Sequence, residues 1–383
     1  MKSGIRALHV ISGDLWAGAE VQTYNLIGQL QRIPGVAVAA VVLNPGMLSE
    51  KLQALDLEVE VVDEARLGAV RILQRLSNFY RRWHPSVIHT HRDKENILGF
   101  LANRMADNVP MVRTVHGAEE HAGWLSWRAI RRMGIVAIDR WVTTRSRETV
   151  IAVSQALGTV LREIYPAERV VVIENGVDFD AVRAQVAPVD FRLAAPEATH
   201  VGLVGRLVPV KRADLFLRTA ALLRQSDPDR QWRFHLLGDG PMRGLLEAEA
   251  EILKISSSVA FHGHRSDIAS CLAGLDVLII CSDHEGLPMT ALEAVAVGVP
   301  TVAHAVGGLT DVIPREGWVT QHDAKGYRDA VLSALRPDSR LIAERAAQRN
   351  RERYSAANNA TLTHALYERM LGRREPIDPD PQR

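Results

Sequence analysis

Val277-Leu278-Ile279-Ile280-Cys281-Ser282-Asp283-His284-Glu285-Gly286-Leu287-Pro288-Met289-Thr290-Ala291-Leu292-Glu293-Ala294 reads as a buried strand, a polar turn and the opening of a helix. An unbroken apolar run bounded by turn residues is what a parallel strand covered on both faces requires. Pro288 sits where a first helical position falls, so a helix N-terminus, with free N–H groups and a positive dipole end, faces the end of the strand. Glu285 lies just before that helix and Glu293 inside it. Carboxylates accept hydrogen bonds from sugars, so a pair flanking an anion site suits a ligand with hydroxyl groups on both sides of a diphosphate. The pair also fits a plainer arrangement, with Glu285 capping the helix and Glu293 on its surface.

The same strand-then-helix unit recurs along the chain. Apolar runs at Ala7–Ile11, Val36–Leu43, Val87–Thr90, Val109–Thr114 and Val150–Val153 form one series, and His200–Val204, Trp232–Leu237, Val259–His262, Val277–Cys281 and Thr301–Ala303 form a second. The class is α/β, doubly wound. Phe179–Ala198, with two prolines and no periodicity, separates the series. The reading is a Rossmann-like domain over 1–180, a linker over 181–198 and a second Rossmann-like domain over 199–355. A C-terminal helix over 356–372 packs back on the first domain, and a disordered tail covers 373–383. Two such domains would set their strand ends along one shared cleft.

The chain has 383 residues, 47% of them apolar, enough for two cores. Lysine and arginine number 46 against 45 acidic residues, so no global basic footprint points to nucleic acid. Cys271 and Cys281 read as two small buried hydrophobes in a reducing compartment. The first apolar run is too short for a signal peptide and no run is long enough to span a membrane, so a cytoplasmic location is expected.

Other strand ends carry polar turns. Gly205-Arg206 and Lys211 offer two cations, which can neutralise a diphosphate without a metal, although a solvated loop explains them equally well. Gly238-Asp239-Gly240-Pro241 and His262-Gly263-His264 permit close backbone approach to a flat ligand or are ordinary turns. The first turn, Ser12 to Glu20, lacks the G-x-G-x-x-G pattern of a dinucleotide enzyme. His89-Thr90-His91, His116-Gly117, Ser154 and Asn175-Gly176 follow at later ends.

In this order, Ala17-Gly18-Ala19-Glu20, Val115-His116-Gly117, Val153-Ser154, Asn175-Gly176-Val177-Asp178, Gly205-Arg206 with Lys211, Gly238-Asp239-Gly240-Pro241 and Glu285-x7-Glu293 resemble a family 4 glycosyltransferase, over nearly the whole chain. The resemblance implies the GT-B fold, two Rossmann-like domains facing a central cleft, and retaining transfer from a nucleoside-diphosphate sugar used as co-substrate. It implies that Arg206 and Lys211 hold the diphosphate, Glu293 the ribose, and Glu285 the transferred sugar, with the Gly286, Leu287, Pro288 and Met289 backbone assisting. Gly238 and Asp239 join the donor site, and His264 and Arg265 contact the base. Gly18 approaches the phosphate, His116 faces the sugar, and Glu20, His91 and Asn175 lie on the acceptor side. The catalytic set is then His116, Glu285, Arg206 and Lys211, with no metal. Ala17 stands where the family often has a glycine, which bears on the backbone approach at that turn. Alternatives of other classes are a nucleotide-sugar epimerase of the same fold and a non-catalytic nucleotide-sugar-binding protein.

Three matches are set aside. Asp178-Phe179-Asp180 has a metal-binding form but belongs to the Asn-Gly-Val-Asp turn. His89-x-His91 and His262-x-His264 lack a third ligand at motif spacing. His91-Arg92-Asp93 resembles a kinase loop but has Leu98 where that pattern needs Asn. The tryptophans and arginines of 124–147 either pack as an ordinary helix or lie on an anionic membrane, which would suit a lipid-linked or glycan acceptor and a peripheral position on the inner membrane face.

Overall fold

Ile5–Ser12 (β1) and Val36–Leu43 (β2) pair in parallel from Ile5 opposite Val36 to Ser12 opposite Leu43. The computed structural model describes residues 4–14, 16–117, 127–146 and 148–373. Glu58–Val61 (β3), Val87–Thr90 (β4), Met111–Val115 (β5), Thr149–Ala152 (β6) and Val170–Val172 (β7) complete a parallel sheet ordered β3-β2-β1-β4-β5-β6-β7. Both faces of β2 are covered, as its run of valine and alanine demands: every residue from Val38 to Leu43 is buried. The strand order reverses between β1 and β4, and open α/β sheets bind ligands beyond the C-terminal ends at such a reversal. Ser12 and His91 stand there.

Thr199–Val204 (β8), Trp232–Leu237 (β9), Val259–Gly263 (β10), Val277–Ile280 (β11) and Thr301–Ala303 (β12) form the second parallel sheet, ordered β10-β9-β8-β11-β12. Its core joins Val201, Leu203, Phe216, Phe234, Val277 and Tyr327. The reversal lies between β8 and β11, so Gly205-Arg206 and the turn after Ile280 occupy the ligand-binding end of this sheet. The doubly wound α/β expectation holds in both sheets. Cys271 and Cys281 are free and buried. No helix among the described residues is long and apolar enough to cross a membrane.

The chain divides into two compact units, Met1–Gly176 with Ala356–Arg383, and Val177–Ser355. The segment expected as a linker, 181–198, differs from that reading. It carries the helices Phe179–Ala184 and Asp190–Ala194 and belongs to the second unit. Asp178 caps the first by accepting a hydrogen bond from the Ala181 N–H at 2.9 Å. Buried Phe191 anchors the second by stacking on His235, ring centroids 4.1 Å apart. A carboxylate cap and one aromatic anchor do this without any periodic pattern. The C-terminal helix Ala356–Met370 lies in the first unit, where the Gln22 amide donates to Asn359 Oδ1 at 3.1 Å. The tail from 374 onward, and Trp124 and Arg147 of the tryptophan and arginine segment, lie outside the described residues.

Candidate active site

In the second unit the turn after β11 feeds the helix Met289–Val297, with Pro288 as its N-cap rather than its first residue. Glu285 does not cap this helix. Its Oε1 accepts from Lys211 Nζ at 2.5 Å and from the Ser282 hydroxyl at 2.6 Å. Lys211 ends a single 3-10 turn, Pro209–Lys211, that follows the β8 loop. Arg206, on the same loop, is exposed and has no carboxylate partner among the described residues. Arg212 has left-handed backbone (φ 50°), and its guanidinium reaches Asp214 and Asp283, each at 3.1 Å. It therefore buttresses the turn instead of presenting a free charge.

Glu293 is half-buried and has no hydrogen-bond partner among the described residues; burial alone pushes its carboxyl up to about 7. A carboxylate left desolvated and uncompensated is poised to accept hydroxyl groups. Sequence reasoning missed the clamp on this turn. Gly307 (φ 55°) follows β12, and a Cβ built there would lie 1.7 Å from the Glu285 carbonyl oxygen. The Gly308 N–H donates to the Gly286 carbonyl at 2.7 Å. The Gly307-Gly308 pair after a strand was the available signal.

Gly238 (φ 139°) serves the fold more directly than a ligand, because its missing Cβ makes room for the Gly205 carbonyl oxygen, 2.0 Å from where that carbon would sit. Asp239 and His264 are exposed. Arg265 is committed to protein carboxylates, reaching Asp190 at 2.9 Å and Asp267 at 2.6 Å. His304 and His322 stack at 3.9 Å beside the Glu285 turn, and His322 lies 3.0 Å from Asp283. A pocket of about 120 Å³ lined by Val295, Pro300, Ile313 and Ile342 lies elsewhere in this unit and shares none of these residues.

In the first unit Gly18 opens the helix Gly18–Leu30. Glu20, expected on the acceptor side, is fully buried: it accepts from the Ala17 N–H at 3.2 Å and pairs with Arg92. Burial raises its carboxyl while Arg92 opposes the rise. His91 and Asn175 are likewise buried at strand ends. Glu95, absent from the sequence reading, takes the N–H and hydroxyl of Ser12 at the end of β1. Of the metal-like matches, Asp178 is the helix cap and Asp180 pairs with Arg351.

His91 belongs to a stacked series with His9, His89 and His116. One nitrogen each of His9, His89 and His91 lie within 4.8 Å of one another, and His9 is the third member that motif spacing could not reveal. In the structure the nitrogens of these rings have protein partners. His9 Nδ1 is 3.0 Å from His91 Nε2, and His9 Nε2 is 3.5 Å from the Tyr367 hydroxyl. His89 reaches Tyr367 at 2.6 Å and Thr114 at 2.7 Å, and His91 Nδ1 reaches Thr23 at 3.2 Å and His116 Nε2 at 3.3 Å. Burial lowers all four imidazoles, His9 and His116 to about 3.

Two doubly wound parallel sheets, with a cation-and-carboxylate turn at the reversal of one and imidazoles at the reversal of the other, give the α/β architecture of the GT-B fold class. Residues 16–181 match the profile of Glycosyltransferase Family 4, and residues 198–336 that of Glycosyl transferases group 1. The 2-deoxystreptamine glucosyltransferase of Streptomyces kanamyceticus is 28% identical over 315 residues, 76% of this chain and 80% of that protein. The D-inositol 3-phosphate glycosyltransferase of Salinispora tropica is 28% identical over 357 residues, 85% of this chain and 71% of that protein. Among solved structures, Anabaena Alr3699/HepE in complex with UDP-glucose superposes with a TM-score of 0.78 at 19% identity, covering 95% of this chain and all of that one. The chain belongs to glycosyltransferase family 4 and is a transferase enzyme.

Proposed function

We propose that the protein is a metal-independent, retaining glycosyltransferase that transfers a sugar from a nucleoside-diphosphate sugar to a hydroxyl of a cell-surface glycan or glycolipid precursor. The observation that carries this reading is the turn in which Glu285 is held by Lys211 and Ser282 at a helix N-terminus, with Glu293, which has no hydrogen-bond partner among the described residues, farther along the same helix. Arg206, Lys211 and the helix N–H groups take the diphosphate, Glu293 the ribose, and Glu285 the hydroxyls of the transferred sugar. The UDP-glucose in the Anabaena neighbour supports a nucleotide-sugar donor.

The bond from the anomeric carbon to the diphosphate breaks as the acceptor oxygen bonds to that carbon on the same face. The departing phosphate oxygen takes the acceptor proton. Stabilising that leaving charge is the protein's main task, and Arg206 and Lys211 supply the cations. His116 faces the sugar.

For a lipid-linked acceptor at an anionic membrane surface, support comes from the helix Trp127–Ser146, on which Ile138 and Trp141 are 50% and 58% exposed beside exposed Arg140 and Arg145. Co-sedimentation with anionic vesicles and not with neutral ones is expected, and equal sedimentation with both refutes this part.

A thermal-shift panel of UDP, GDP, ADP, CDP and their sugar conjugates in EDTA tests the donor site. One nucleotide at about 100 times its Kd should add about 2.7 kcal/mol, and Arg206→Ala, Lys211→Ala or Glu293→Ala should abolish the shift. A shift that requires a divalent metal refutes the metal-free mechanism. Incubating the same conjugate without acceptor separates transfer from epimerisation.

A further inference from the structure

The imidazole series of the first unit has a direction. The Thr23 hydroxyl donates its single proton to the Ala19 carbonyl at 2.9 Å, so towards His91 Nδ1, 3.2 Å away, it can only accept. Nδ1 of His91 therefore carries a proton. In a neutral ring Nε2 is then bare, and it accepts from the Nδ1–H of His9 at 3.0 Å. His9 Nε2, bare in turn, takes the Tyr367 hydroxyl proton at 3.5 Å, while Tyr367 accepts from His89 Nδ1–H at 2.6 Å. His89 Nε2 closes the series by accepting from the Thr114 hydroxyl at 2.7 Å. At the other end His91 Nδ1–H also faces His116 Nε2 at 3.3 Å, which leaves His116 its proton on Nδ1. That Nδ1 is buried and without a partner among the described residues.

We propose that His91, fixed by Thr23 and His9, is a positioning residue that holds His116 as the Nδ1–H tautomer, so that a substrate oxygen that reaches the buried Nδ1 on donor binding meets a hydrogen-bond donor and not a base. The inference rests on the reading that places His116 beside the sugar. Neutrality follows from the surroundings: the rings are desolvated, the cation Arg92 bears on both His91 and His116, and the carboxylate that hydrogen-bonds Arg92 among the described residues, Glu20, is spent on that pair and on the Ala17 N–H.

Long-range nitrogen-proton correlation spectra of the full chain with labelled histidine read the tautomers with no substrate present. His116 should show Nδ1–H between pH 6 and 8. His91→Asn, which keeps a donor near the position of Nδ1, should preserve it. His91→Leu should shift His116 towards a mixture and lower kcat about tenfold or more, with KM for the nucleotide sugar unchanged. If His91→Leu does not fold, Thr23→Val removes the same anchor at nearly constant shape, and a mixture at both His91 and His116 is expected. Nε2–H on His116 in the wild type, or unchanged spectra in both His91→Leu and Thr23→Val, would overturn the proposal. A joint shift of the His9, His89 and His91 signals on adding zinc would overturn it as well, because those nitrogens would then be ligands. The expected spectra combined with no transfer from any nucleotide sugar would refute the function and leave the tautomer assignment standing.

Discussion

Lys211 Nζ and Glu285 Oε1 stand 2.5 Å apart, with the lysine a quarter exposed and the carboxylate nearly buried, whereas Arg206 on the same loop is exposed and has no ion-pair partner among the described residues. The two cations therefore differ in what they do for the empty protein. Arg206→Ala should lower kcat/KM by about 10²–10³-fold, the range for losing one donor to a developing charge, and leave the melting temperature unchanged. Lys211→Ala should lower both, because it strands the Glu285 carboxylate. Steady-state kinetics beside thermal melts separate the two. Equal melting temperatures for the pair of variants would mean that the ion pair does not support the turn.

Glu293 sets a pH dependence. Its carboxyl is pushed up to about 7 by burial, while the unfolded chain has the ordinary value of 4.5. Between those values the folded chain holds the extra proton, so its contribution to stability is complete at low pH and is lost as pH rises through about 7. The ionised form accepts ribose hydroxyls more strongly than the protonated one. Affinity for a nucleotide sugar, whose diphosphate does not titrate in this range, should rise from pH 6 to pH 8 and then level off. Calorimetric titration of Glu293→Gln should give a flat profile.

Gly307 should tolerate no side chain. Gly307→Ala places a carbon against the Glu285 carbonyl at a backbone angle that L residues rarely adopt, so the turn must move. Transfer should fall by at least about 10²-fold, since small misplacement of a positioning group costs that much. Gly244→Ala is the control. That glycine lies in the helix Arg243–Ile252 with open space around it, and the change should be neutral or stabilising by about 0.4–1 kcal/mol.

Phe191 ties the short helix Asp190–Ala194 to the second sheet through His235. Phe191→Ala should cost about 3–5 kcal/mol, measured by denaturant titration. A loss under 1 kcal/mol would return residues 181–198 to the status of a passive tether.

Ten strands were legible from their apolar runs, including β10 and β12 at the edges of the second sheet. The two that were not, β3 and β7, are edge strands. Glu58-Val59-Glu60-Val61 alternates charge with valine, and β7 has three residues, both usual ways of blunting an exposed edge. Glu285, Glu293, Arg206 and Lys211 were readable from spacing next to strand ends. His9 and Tyr367 were not, since they meet His89 across strands or from the far end of the chain, and no local pattern records such a meeting. Glu20 and Arg265 were readable as polar residues at the right ends, yet each is committed to a charged protein partner, which spacing does not reveal.

Tyr367 and His89 are 278 positions apart and lie on either side of the whole second unit. During synthesis the first sheet must therefore wait for almost the last turn of helix before its buried imidazoles are capped, even though all seven of its strands have been made long before. The second unit, continuous in sequence, can fold on its own schedule in the meantime. A ribosome that stops after Ser355 leaves a first unit with every strand present and His89 Nδ1 without its Tyr367 partner.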